Sequence, residues 1–518
     1  MTAPVAAPDG ADALLEAAEA EPGVATAVEA TAAPPAGHGT ASRRPARRTP
    51  DPTRSLPEPG LDGPSLGPPT AIGADRPGIA GAGLIEVDGR TVSYFEVGGG
   101  RWSTRDAVAE AEVVERALLL GADLGVPVLG VVHSLALDPA DLAGLAVWGR
   151  VARAAVRASG AVPLLLAVTG GCHGGLSTIL GLADHVVLTR EASVYVNGPA
   201  AVRAVTAVEV TPDDLGGAAA HHRDTGLASL VADDRDDAIA ALADLLAYHP
   251  SSWDTPLPPT PSTDPPDRPC HRAARVVPTS ARASYDVRDV LDDIADEGSV
   301  LEVRAGHAPN VVTAFARLGG RPVAVVANQP QVRAGTLDIA AGSKAARHVQ
   351  AADAAGIPLL TLVDTPGFEP GKDLEWRGMI RHGAELVHAY CAATVPRVCV
   401  VLRKSYGGAY IVMDSRDIGS DLVLAWPTAE IAVMGAPGAV AILNRREIAA
   451  SDDPEATRAE LIADYEARFC TPAVAAERGY VDQVIAPEHT RAHLVAAFAR
   501  LAPKRPRLVE RRHSVSPC

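Results

Sequence analysis

The first feature in this sequence able to do chemistry is a pair of glycines at the end of an apolar run. Val398 to Leu402 leads into Arg403-Lys404-Ser405-Tyr406-Gly407-Gly408-Ala409-Tyr410-Ile411-Val412-Met413. A strand that stops at adjacent glycines and resumes as a helix lets the backbone approach a ligand closely. It also leaves unpaired amide N–H groups aimed at that ligand, the arrangement that binds anions at helix N-termini. A second loop of the same kind is Gly171-Cys172-His173-Gly174-Gly175, after the apolar run that starts at Ala161. Cys172 has no activating neighbour except His173 and reads as structural.

The elements that must hold these loops can be read on either side of them. LIEVDGRTVSYFEV, from Leu84, alternates apolar and polar residues around Asp88-Gly89, the signature of a β-hairpin. Arg105 to Leu124 carries apolar residues at helical spacing and stops at Gly125. VPVLGVVHS then predicts a buried strand, Asp138 to Ser159 a helix, ADHVVLT and ASVYVNGP two short strands, and Asp236 to Tyr248 a further helix. Pro250 to Pro269 is dense in proline and marks a linker, which divides the ordered chain into domains at residues 81–275 and 276–518. After it the pattern starts again.

GVPVLGVVHS from Gly125 matches GIPLLTLVDT from Gly356. AVPLLLAVTGGCHGG from Ala161 matches TVPRVCVVLRKSYGG from Thr394, and ADHVVLTREASVYVNGP from Ala183 matches SDLVLAWPTAEIAVMGA from Ser420. The offset is roughly 230 residues throughout, far longer than any solenoid repeat, so the chain contains a duplicated domain. Two Gly-Gly loops at equivalent places in equivalent domains point to function.

Composition narrows the partners. The chain has 518 residues, enough for two or three domains with a large core, and a formal net charge of −16. Such a surface repels polyanions, which argues against a nucleic-acid partner. Six cysteines without a C-x-x-C pair suggest neither a zinc ribbon nor a disulfide framework, and a reducing cytoplasm is expected. His221-His222 lack metal-ligand spacing with a third residue, so no metal is inferred. Met1 to Ala20 is acidic and Ala-rich, unlike a signal peptide, and the longest uncharged run is broken by glycine pairs, so no membrane span is expected. Residues 1–80, rich in Ala, Pro, Gly, Ser and Arg, read as a disordered arm.

VRAGTLDIAAGSKAARHVQAADAAGIPLLTLVDTPGFEPG, GMIRHGAELVHAYCAATVPRV, RKSYGGAYIVM and AWPTAEIAVMGAPGAV together resemble the C-terminal half of the β subunit of biotin-dependent acyl-CoA carboxylases of the propionyl-CoA carboxylase type. Gly83 to Leu246 is similar to the N-terminal half of that family, more loosely. The resemblance implies an α/β fold of two tandem crotonase-like domains and a carboxyltransferase acting on acyl-CoA. It also implies carboxybiotin delivered by a biotinylated α subunit, and self-association, expected to be hexameric. In that family backbone amides hold the oxygens that gain charge, and no side-chain base is required.

Carried over, the biotin-side donors are Gly408 and Ala409, with Gly407 and Tyr406 shaping the turn and Pro366, Gly367 and Phe368 facing it. Asp364 and Thr365 read as strand-end capping, and Arg381-His382 as a packing or dimer-contact pair. Ile411 stands where propionyl-type members carry Asp, which suggests a different or broader acyl preference. On the acyl side the resemblance places the oxyanion donors at His173 and Gly174, beside Gly175. His173, where the family has Ala, brings an imidazole within range of acid–base work. His133-Ser134-Leu135-Ala136-Leu137-Asp138 replaces an Asp-Ser-Gly-Gly-Ala-Arg loop. This divergence keeps two further readings open: a biotin-independent decarboxylase or lyase of secondary metabolism, and a structural β-like subunit.

Overall fold

The structure, a computed structural model, describes residues 81–98, 104–135, 142–280, 283–506, 510 and 514–517. The arm at residues 1–80, and Ala136 to Asp138 of the divergent loop, lie outside these.

The N-terminal half opens with β1 (Gly81–Val87) and β2 (Arg90–Val97), paired antiparallel through Asp88-Gly89. Both turn residues take positive φ, 51° and 75°, the conformation whose twist matches the flanking strands. Then follow α1 (Thr104–Leu124), β3 (Val128–Val132), α2 (Leu142–Ala158), β4 (Leu164–Val168), β5 (Gly171–His173), a 3₁₀ turn over Gly175–Leu182, β6 (His185–Thr189), β7 (Ser193–Tyr195), β8 (Leu230–Ala232) and α3 (Arg235–Leu246). The main sheet has the order β1-β2-β3-β4-β6-β8, and β5 pairs with β7 apart from it.

The C-terminal half repeats the plan with β9 (Leu301–Val303), β10 (Val311–Leu318), β11 (Arg321–Asn328), α4 (Ile339–Ala354), β12 (Leu359–Thr365), α5 (Met379–Ala392), β13 (Arg397–Tyr406), α6 (Gly407–Val412), β14 (Leu422–Ala425), β15 (Glu430–Ala432), β16 (Gln483–Val484) and α7 (Thr490–Leu501). Its sheet runs β16-β14-β13-β12-β11-β10-β9, with β15 on the extension of β13. The registers coincide: Val128 faces Leu164 and Gly171 faces Ser193 in one half, and Leu359 faces Arg397 and Lys404 faces Glu430 in the other. The duplication read from the sequence is therefore a structural repeat, residue for residue around the loops.

Local sequence explains the elements. Asp338 caps α4 by accepting from the Ala341 amide at 2.8 Å, and Ala341, Ala345, Val349 and Ala352 then line one buried helical face. The central parallel strands are buried on both faces, as their unbroken apolar runs require.

The two halves do not stand apart. One apolar cluster joins Tyr94, Leu129 and Val131 of the first sheet and Leu242 of α3 to Phe315, Val326 and Val349 of the second half. Arg304 donates to the Gly226 carbonyl at 2.9 Å and Arg347 to that of Ala183 at 2.8 Å, stitching the seam. The proline-rich segment is also tied down: Thr260 N–H reaches Gly320 O at 2.9 Å and Arg491 reaches Pro265 O at 2.9 Å. Among the described residues no helix is long and apolar enough to cross a membrane.

Candidate active site

β13 delivers the C-terminal loop. Its end is fixed by a buried ion pair, Arg403 Nε to Asp364 Oδ2 at 3.0 Å, with both side chains almost without exposure. Asp364 also accepts from the Lys404 amide at 3.2 Å, and Arg403 donates to the carbonyls of Ser280 and Ala283 at 2.7 Å each. Burial pushes the Asp364 carboxyl upward, while Arg403 and Lys404 pull it back. Asp364 is thus a strand-end clamp, the role its position suggested.

Gly407 then turns the chain with φ of 59°, and α6 begins. Tyr406, at its N-cap, makes no side-chain cap, so the amides of Gly408 and Ala409 lie in the first turn, where a helix supplies no partner. Gly408 is exposed and Ala409 buried. The Phe368 ring packs beside both Gly408 and Gly383; a Cβ on either glycine would stand 3.3 Å from it. Gly367 (φ 137°) and Phe368 are fixed by a bridge to Leu337, with Leu337 N–H to Gly367 O at 3.0 Å. At the far end of α6, Asp414 pairs with Arg397 at 2.9 Å, both buried. Burial raises the Asp414 carboxyl to about 6 against the pull of Arg397. Tyr406 hydrogen-bonds Glu430 on β15; burial and that carboxylate raise its phenol far above the ordinary range.

The N-terminal loop follows the same plan with different side chains. Gly174 (φ 84°) takes the place of Gly407 and caps the 3₁₀ turn without a side-chain bond. His173 occupies the position of Tyr406, and its Nε2 meets Ser193 Oγ at 2.9 Å, as Tyr406 meets Glu430. The imidazole stacks on Tyr195 at 4.1 Å between centroids, and burial lowers its pKa, so it is neutral at pH 7.

The donor assignment needs a correction here. His173 N–H is already given to Leu135 O at 2.8 Å and Gly174 N–H to Tyr195 O at 2.9 Å. Neither amide is available to a ligand. Ser177 N–H returns to Gly174 O, which leaves Gly175 and Leu176 as the first-turn amides. They match Gly408 and Ala409 in register and in burial, Gly175 exposed and Leu176 buried. Leu176 escaped the sequence reading, although the same alignment that pairs Gly175 with Gly408 pairs Leu176 with Ala409.

Ile411 is 48% exposed, one turn along α6 from Gly408, so it is not a core residue. His382 approaches Ser343 Oγ at 3.3 Å and Glu385 at 3.5 Å, a local polar cluster on α5.

Two crotonase-like halves, each presenting first-turn amides behind a left-handed glycine, define the class of fold. The carboxyl transferase domain model matches residues 79–516, and the chain belongs to that family. The chain is 42% identical to the methylmalonyl-CoA carboxyltransferase 12S subunit of Propionibacterium freudenreichii subsp. shermanii, over 87% of this chain and 86% of that one. It is 41% identical to the propionyl-CoA carboxylase beta chain of Saccharopolyspora erythraea, covering 86% and 84%. Identity to the methylmalonyl-CoA decarboxylase subunit alpha of Veillonella parvula is 38%, covering 86% and 87%. The solved transcarboxylase 12S structure, a hexamer assembly with methylmalonyl-coenzyme A and methylmalonic acid bound, superposes with a TM-score of 0.81 at 40% identity, over 85% of this chain and 84% of that chain. The family resemblance and fold class read from the sequence are both borne out.

Proposed function

We propose that the chain is the carboxyltransferase subunit of a biotin-dependent acyl-CoA carboxylase. The observation that carries this reading is the pair of amide loops in one register, Gly408/Ala409 and Gly175/Leu176. Carboxybiotin, when a biotinylated partner subunit presents it, supplies the CO2 that is transferred. The Gly408 and Ala409 amides would hold the ureido oxygen, and the Gly175 and Leu176 amides the thioester oxygen of the acyl-CoA. Each loop lowers the energy of charge that develops on its oxygen, so the α-proton can move without a dedicated side-chain base. Phe368, Gly367 and Tyr406 shape the first loop. His173, taken up by Ser193 and Tyr195, shapes the second rather than moving protons.

Ile411 would meet the acyl group and favour chains longer or more apolar than propionyl. The domain division at residues 81–275 and 276–518 belongs to this reading, as does a cytoplasmic setting where biotinylated carriers and CoA thioesters meet. Self-association is supported by apolar side chains left open at equivalent places, Val196 after β7 and Val433 after β15, 52% and 74% exposed. We read them as contacts to a second copy in a hexamer.

The test combines the chain with a biotinylated α subunit, ATP, labelled bicarbonate and a series of acyl-CoAs. Fixation of label into the acyl-CoA is expected. No fixation with any α subunit, together with CO2 release from a malonyl-type thioester by the chain alone, would favour the decarboxylase reading instead.

A further inference from the structure

A polar chain at the carboxyl ends of β2, β3 and β4 has no part in the assignments above. Glu96 on β2, His133 just past β3 and Thr169 just past β4 lie on the face of the first sheet that α3 covers. Glu96 Oε1 meets His133 Nε2 at 2.5 Å, and His133 Nδ1 meets Thr169 Oγ1 at 2.8 Å. Arg235, the first residue of α3, clasps both Glu96 oxygens at 2.9 and 3.1 Å, and the Tyr94 hydroxyl donates to Glu96 at 2.8 Å. Burial alone would raise the Glu96 carboxyl. The hydrogen bonds from His133, Tyr94 and Arg235, with the Arg235 charge, outweigh it and hold the group down at about 2. Glu96 is therefore an ionised acceptor. His133 donates Nε2–H to it, and its Nδ1 shares a hydrogen bond with the Thr169 hydroxyl.

Two residues further on, Leu135 is bonded to β5 in both directions. Its N–H gives to Gly171 O at 2.7 Å, and its C=O takes from His173 N–H at 2.8 Å. The Gly170 Cα also lies so close to the His133 backbone that a Cβ there would fall 2.0 Å from the His133 carbonyl oxygen. Any shift of His133 thus passes directly to the strand that ends in Gly174 and the Gly175/Leu176 amides. The repeat supplies an independent argument. His133 and Asp364 are equivalent positions, and Asp364 clamps the other loop by binding Arg403 and the Lys404 amide.

We propose that His133, braced by Glu96, Arg235 and Thr169, is a positioning residue for the acyl-side loop. It does for Gly175 and Leu176 what Asp364 does for Gly408 and Ala409, with an imidazole in place of a carboxylate. The inference rests on the reading of that loop as the thioester site. Its role is to fix where the donors point, so its loss should be felt at one loop and not the other.

The experiment measures hydrogen–deuterium exchange of the full chain over residues 170–178 and, as an internal reference, 405–413. His133→Leu, Thr169→Val and His133→Gln are compared. His133→Leu is expected to raise exchange at 170–178 about tenfold while 405–413 is unchanged, with Thr169→Val in the same direction and smaller. His133→Gln, which can still donate and accept, should recover most of the protection. In the coupled assay His133→Leu should lower kcat/KM for acyl-CoA about tenfold and leave KM for the biotinylated partner unchanged. Unchanged exchange at 170–178 in both His133→Leu and Thr169→Val, or an equal rise in both segments, overturns the proposal. If the unmodified chain carboxylates nothing, the functional reading fails, yet the exchange comparison still decides the brace. Should His133→Leu not fold, Thr169→Val removes a single hydrogen bond, and its exchange at 170–178 alone supports or overturns the brace.

Discussion

At the scale of single residues, Gly407 and Ile411 divide the labour of the C-terminal loop. Gly407 holds φ at 59°, and a Cβ there would stand 3.1 Å from the Val433 carbonyl oxygen. Gly407→Ala therefore strains a backbone that L side chains avoid and tilts the amides that follow. The expected outcome is a fall in kcat of about 10²-fold, the size of losing an oxyanion donor, with the melting temperature little changed. Steady-state carboxylation rates beside calorimetry check it. Ile411 points outward at 48% exposure, so it can be changed without disturbing the core. Ile411→Asp should move preference towards propionyl-CoA by about tenfold in kcat/KM relative to longer acyl chains, measured in competition.

At the scale of elements, β13 and α6 form one strand-to-helix unit clamped at both ends by buried ion pairs. Asp364–Arg403 holds the end of the strand, and Arg397–Asp414 holds the end of the helix against the start of the strand. Removing one partner leaves the other charge buried without its counter-ion. Asp364→Ala is expected to cost about 3–5 kcal/mol, read by denaturant unfolding, because Arg403 is 1% exposed and has no route to water.

Much of this architecture was legible in the chain. The hairpin at Asp88-Gly89, the helix stop at Gly125, the buried strands and the repeat all rest on local pattern, and local pattern survives folding. The clamps were less visible. Asp364 and Arg403 are 39 residues apart, and Glu96 and Arg235 are 139 apart, so neither pairing has a periodic signal. The open amides of the N-terminal loop stand two residues beyond the expected ones for a related reason. Whether an amide is free depends on what a neighbouring strand takes from it, and Leu135 and Tyr195 claim those of His173 and Gly174.

At the scale of the whole molecule, the seam between the halves carries buried histidines packed about Phe315. The rings of His185, His249 and His348 lie 5.0–5.5 Å from it. Burial drives His185 well below its ordinary pKa and His348 down to about 3, with Arg304 and Arg347 adding to the effect on His185 and Arg304 and Lys344 to that on His348. Their pKa values are depressed on folding, so the unfolded chain binds more protons once the pH falls below about 6.5. The contribution of these histidines is complete above that pH. It should decline as the pH falls further, by about 1.4 kcal/mol per pH unit for each buried histidine that stays neutral, for His348 down to about pH 3. Urea unfolding at pH 7.5, 6.0 and 5.0 gives the slope, and His348→Phe should reduce it by one histidine's share. A flat profile would mean that these rings are protonated in the folded state.

The same seam bears on how the chain could have changed over time. Halves that share one interior cannot be traded between relatives like beads on a string, because a new first half would arrive with the wrong surface for Phe315, Val326 and Val349. Divergence is cheap only where a half faces away from its neighbour. In the first half that is the cluster around Val147, Val151, Leu166 and Leu176, which takes in the start of the turn that follows Gly174. A new substrate could therefore be accommodated there while the joint between the halves stayed as it was.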